Sequence, residues 1–193
     1  MRLVVLRLLT TLIISGLCGL TAFQGWSIAY LAAKGAPSVA SAALRASLAQ
    51  MAPATGPDVA RKRVETLTAL LAIRPMSSTD WLALAGLRVV TARPYDEMTA
   101  ALRMSSLTGP NEGSVMAERG IFGVLQWDTL PREARSETIA DLSGAILDNA
   151  FTAAGLEVAK YVLRQKPLET QGEIASWLRR EGVSAHDLGR LGL

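Results

Sequence analysis

The chain has 193 residues, half of them hydrophobic and only 5% aromatic, which excludes a disordered tail and suits packed helices better than a sheet sandwich. Its formal charge of +3 leans on Arg2 and Arg7; without them 18 basic residues face 17 acidic ones, too even a balance for a nucleic-acid binder, which needs clustered cations. The single cysteine, Cys18, excludes an intramolecular disulfide and a zinc knuckle.

In chain order, the first element is apolar. Leu8 to Phe23 carries no charge, Arg2 and Arg7 stand before it, and Trp26 and Tyr30 follow. An apolar helix needs roughly 20 residues to cross the hydrocarbon core. Residues 3–23 suffice if Arg7 snorkels, with Trp26 and Tyr30 at the far interface. Basic residues ahead of the span predict a cytoplasmic N-terminus and an exported body. A cleaved signal peptide is the rival, with candidate cut sites among Ala29, Ala32, Ala33, Gly35 and Ala36. Ser15 and Gly19 form a small-xxx-small pair of the kind that brings two anchors together.

From residue 36 onward the chain reads as helices separated by turn signals. One runs from Pro37 to about Met51, and the segment Pro53 to Pro57 breaks it. Asp58 caps a second, with Val64, Leu67, Leu70 and Leu71 on one face, ended at Arg74-Pro75. A third begins after Ser77, Ser78 and Thr79, with Trp81, Leu84, Leu87 and Val90 as its apolar stripe, and stops at Arg93-Pro94. Asp96-Glu97 open a fourth, at the positive end of its dipole. Its apolar positions are Met98, Ala101, Leu102 and Leu107. After the turn Thr108 to Gly113, a fifth spans Ser114 to Trp127 and a sixth starts at Pro131 and reaches about Leu147. A seventh covers Ala150 to Arg164, closed by Lys166-Pro167; the last lies near Gly172 to Glu181. No β-hairpin dipeptide bracketed by alternating residues occurs. The fold class expected is all-α, with about seven or eight helices after the membrane span.

Spacing adds a period. Trp81 to Val115 is 34 residues, and so is Pro75 to Gly109. The string Trp81-x-x-Leu84-Ala85 resembles the W-x-x-L-G opening of tetratricopeptide repeats, which share that period. Ala101 falls near a small-residue position of that pattern and Pro110 near its closing proline. The resemblance covers residues 76–148. It departs at Arg88, where the family prefers an aromatic, and at Val115, which replaces the opening tryptophan. It implies stacked helical hairpins sharing one core, with a concave face that holds peptides or partner segments.

Catalytic equipment is sparse. His186 is the only histidine and lies in a tail that reads as polar and frayed. There is no GxxxxGK[ST] and no GxGxxG after a strand. Glu133, Glu137 and Asp141 recur every four residues and read as a solvated stripe of one helix face. Glu118 and Asp128, ten apart in one predicted helix, are too distant to converge on a substrate. No metal, cofactor or nucleic acid is expected, and the chain reads as a non-enzyme.

These readings give two segments: an anchor or signal peptide over 1–35 and a helical-repeat domain over 36–193. The plan is similar in type to small membrane-anchored accessory proteins of bacterial polysaccharide export or secretion. That likeness implies an adaptor held by one span in the inner membrane, its C-terminal domain periplasmic, binding another envelope protein. Trp81, Arg88, Asn111, Glu118, Arg119 and Trp127 are the candidate partner-binding residues. A structural subunit of a larger membrane complex and an envelope hydrolase or lyase acting through acidic residues are the alternatives.

Overall fold

A computed structural model describes residues 45–48 and 56–193. The chain divides into two units, Met1–Ala49 and Gln50–Leu193. In the first, residues 45–48 form a helical turn. The expected span over residues 3–23, its interface aromatics and most of the helix expected after Pro37 lie outside the described residues. No helix among the described residues is long and apolar enough to cross a membrane.

The described part of the second unit is all-helical and repeat-like. Its helices are α1 (Pro57–Ile73), α2 (Ser78–Val90), α3 (Tyr95–Thr108), α4 (Gly113–Leu125), α5 (Arg132–Leu147), α6 (Ala153–Arg164), α7 (Leu168–Arg180) and α8 (Ala185–Leu191). Proline marks the starts. Pro57 occupies the first turn of α1, while Pro94, Pro131 and Pro167 are the N-cap residues of α3, α5 and α7. A fixed φ and a missing N–H cost nothing there, since the first N–H groups of a helix have no partner within it. Thr152 and Ser184 cap α6 and α8 through their hydroxyls, which accept from the amides of Gly155 and Asp187.

The helices pack as hairpins. α2 lies along α3 and α4 along α5, while α1 packs on α2. Alternate helices also touch: α2 with α4, α4 with α6, and α5 with α7. Each hairpin covers a face its neighbour cannot bury alone. At the C-terminal end a buried cluster is built on Trp127, Ile139, Leu142, Leu163, Ile174 and Leu178. α8 closes the end by inserting Leu188 and Leu191 into that cluster. The region around His186 is thus not frayed: its apolar residues at i and i+3 anchor a short helix, although His186 itself is exposed.

The α2 face is rotated from the one expected, and in α3 Met98, Ala101 and Leu102 are buried as expected while Leu107 is not. In α2 the buried positions are Ser78, Leu82, Leu84 and Ala85, while Val90 is 73% exposed and Trp81 and Leu87 are half-buried. In α3 the inward hydroxyl of Ser105 donates to the Ser78 carbonyl at 2.8 Å, and Leu107 points outward. A hydroxyl with a partner can be buried, so a stripe counted from apolar residues alone misses such positions.

Two glycines of similar sequence context have opposite roles. A Cβ on Gly123 of α4 would stand 2.8 Å from Thr138 Cβ of α5, whereas one on Gly86 of α2 would meet nothing within 4 Å. Gly123→Ala is expected to destabilise the chain by about 1–3 kcal/mol, the usual cost of overpacking, because a β-branched carbon fixed to its helix cannot yield. Gly86→Ala is expected to stabilise it by about 0.5–1 kcal/mol, the intrinsic preference of a helix for alanine. Urea unfolding of both variants checks the opposite signs; two changes of the same sign would refute this packing.

Candidate partner-binding groove

The inward face of α4 is committed to α3 and α5. Arg119, with no exposed side-chain surface, donates from Nε and Nη2 to the two carboxylate oxygens of Asp141 at 2.8 and 2.6 Å. Its Nη1 donates to the carbonyls of Ser105 and Gly109 at 3.3 and 3.0 Å. This fork joins the end of α3, the following turn and the middle of α5 to α4. Beside it the hydroxyl of Ser78, at the start of α2, donates to the carboxylate of Glu112, the N-cap residue of α4. A Cβ on Gly109 would lie 2.6 Å from Ser78 Cβ. Gly109 is required there for space rather than for conformation, its φ of −149° being ordinary extended backbone.

The opposite face of α4 is open. Glu118, Ile121, Phe122 and Leu125 line a groove together with Leu82 of α2 and Gly155 and Val158 of α6, enclosing about 370 Å³. Leu125 and Val158 are each about half exposed, at 51% and 50%. Exposed β-branched and leucyl side chains gathered into one concavity make this groove the candidate site. Glu118 is the charged group of this lining, and it has no ion-pair partner among the described residues. The nearby lysines of α6 and its following turn are engaged. Lys160 pairs with Glu157 at 2.6 Å, and Lys166 with Asp128 at 2.8 Å.

No family model, no curated protein and no solved structure matches this chain. The groove must therefore be read from its own chemistry.

Of the six residues singled out from sequence, Glu118 alone lines the groove. Arg119 and Trp127 are both 1% exposed and cannot touch a partner without unfolding, because each is engaged within the chain. The Trp127 indole N–H donates to Glu173 Oε2 at 3.3 Å, and its ring meets Trp177 edge-on at 6.1 Å. Trp81 is half-buried and donates its indole N–H to the Pro75 carbonyl at 2.7 Å. Arg88 is held against α3, donating to the Glu97 carbonyl. Asn111 is exposed in the α3–α4 turn, away from the groove lining. The acidic stripe is also broken: Glu133 and Glu137 are exposed, but Asp141 turns inward to Arg119.

Leu82, Ile121, Phe122, Leu125, Gly155 and Val158 went unmarked as site residues. An apolar residue facing a partner is spelled like one facing the core, so no local signal separates them. Nor does the structure bring Glu118 and Asp128 together in the groove. Asp128 belongs to the turn after α4, and the hydrogen bond and charge of Lys166 hold its carboxyl below the usual range. Among the described residues no group of three or more His, Cys, Asp or Glu could hold a metal ion.

Proposed function

We propose that this chain is a membrane-anchored, extracytoplasmic helical-repeat adaptor whose α2–α4–α6 groove holds another envelope protein. The observation that carries this reading is the groove itself. It is apolar, open and rimmed by one uncompensated carboxylate, on a helix whose other face is locked by Arg119. A rigid scaffold presenting an exposed apolar concavity is what a protein-binding surface needs. The charge-free run Leu8 to Phe23 behind Arg2 and Arg7 supports the anchor and the outward orientation of the body. The tetratricopeptide-like spacing supports a peptide-holding role, and the likeness in plan to bacterial polysaccharide export or secretion accessories supports the envelope setting.

A photo-crosslinking residue placed at Val158 of the full chain in its native membrane tests the reading. A discrete crosslinked protein is expected, lost on Leu125→Asp while the unfolding midpoint stays within about 1 °C, since Leu125 is a half-exposed surface position. An identical crosslink pattern with and without Leu125→Asp would refute it.

A further inference from the structure

We infer that the occupant of this groove is an amphipathic α-helix of the partner, seated by an apolar stripe and oriented by a lysine or arginine against Glu118. The inference rests on the adaptor reading and narrows it. The lining supplied by α4 falls at 118, 121, 122 and 125, spacings of three, four and seven. The groove thus follows the α4 axis for two turns, about 10 Å at 1.5 Å per residue. A partner helix presents side chains at that same 5.4 Å pitch, so its i, i+3 or i+4 and i+7 positions fall in step with the groove. An extended strand repeats each face every two residues, roughly 6.6–6.8 Å, and drifts out of step within two repeats.

The walls admit a helix. Gly155 lies in the lining and adds no side chain to the α6 wall. One turn beyond Leu82 on α2, outside the lining, Gly86 has open space where a Cβ would stand. Charge supplies direction. Glu118 is exposed at the groove and has no ion-pair partner among the described residues. A carboxylate beside an apolar surface without a cation of its own selects a cationic partner and disfavours an anionic one.

The probe is a fluorescein-labelled designed peptide of about 18 residues: three leucines at i, i+4 and i+7 in an Ala/Gln background, with one lysine flanking the stripe. It is titrated against the full chain in detergent micelles and read by anisotropy. Binding is expected to weaken at least tenfold on Val158→Asp and about tenfold on Glu118→Lys. Replacing the peptide's lysine by glutamate should restore the Glu118→Lys chain and weaken the wild type. A same-composition peptide with leucines at every second position should bind at least tenfold less tightly than the helical one. Equal binding of the two leucine patterns, indifference to the charge reversal, or no binding of the helical peptide overturns the inference. In each case the Val158 photo-crosslink separates the two ideas. A Leu125-dependent crosslink that persists means the adaptor reading stands and only the helical occupant is wrong, whereas its absence removes both.

Discussion

Trp127→Ala is expected to destabilise the chain by about 3–5 kcal/mol, the range for removing a fully buried aromatic from a core. Trp127 follows α4 in the turn that leads to α5 and is 1% exposed. Its ring packs within the cluster that includes Val124, Ile139, Leu142, Leu163, Ile174 and Leu178. Three further contacts would go with it: the hydrogen bond to Glu173, the edge-on Trp177 ring, and the Arg135 guanidinium 5.5 Å from its ring centre. The loss spreads over α4, α5, α6 and α7 because the cluster draws on all four. Trp127→Phe retains most of the apolar surface and forfeits chiefly the N–H bond, for about 1 kcal/mol. Urea unfolding followed by far-UV circular dichroism gives both numbers. A Trp127→Ala midpoint close to wild type would show that this tryptophan is not a core residue. Any loss of partner binding by Trp127→Ala then reflects unfolding, not a removed contact, which Trp127→Phe distinguishes by retaining the partner.

The second large effect comes from the buried pair. Asp141→Ala leaves the Arg119 guanidinium, which has no exposed surface, without the carboxylate that accepts from its Nε and Nη2. Breaking one side of such a pair costs about 3–5 kcal/mol. The lower end, about 3 kcal/mol, applies because Asp141's side chain keeps 12% exposure and water can reach the vacated oxygens. A fall in Tm of about 10 °C follows for a chain of this size. Replacing both partners, by Arg119→Met with Asp141→Leu, should recover part of the loss, since no buried charge is stranded. Recovery stays incomplete because the Ser105 and Gly109 carbonyls lose a charged donor. A double variant less stable than Asp141→Ala would contradict this account.

The same pair sets a pH dependence. Burial pushes the Asp141 carboxyl above its ordinary value of 3.8, against the pull of Arg119's hydrogen bonds and charge. A carboxyl whose folded value is raised holds its proton more tightly in the folded chain. Its contribution is therefore fully present below the unfolded value and declines as pH rises through the folded one. Relative to Asp141→Asn, which has no proton to lose there, wild-type stability should fall across that window. A wild-type-minus-Asn difference that is flat from about pH 3 to pH 7 would refute the raised value.

The groove shows where sequence reading stops. Glu118, expected as a partner-binding residue on the central helix pairs, does line the groove. Arg119, its neighbour, looked equally available and is buried, because helix geometry turns consecutive residues about 100° apart. Asp141 across the hairpin, with the Ser105 and Gly109 carbonyls, makes the inward position tolerable for a charge. Gly120 and Gly123 let α4 approach Leu142 and Thr138 of α5 closely.

What the sequence determined alone is the all-helical class and the proline breaks; the hydroxyl caps Thr152 and Ser184, and α8 itself, came from the structure. The break signals are local, acting through φ restriction at Pro57, Pro94, Pro131 and Pro167. Tertiary structure decided how each helix is rotated about its axis, hence which polar groups are buried and which apolar ones stay outside. Ser105 meets Ser78 across 27 residues, and Arg119 meets Asp141 across 22. Burial is a property of the pair, and neither partner's neighbourhood in the chain contains the other. Val158 and Leu125 are exposed for the same reason: no described helix packs over that face, which a count of their hydrophobicity cannot reveal.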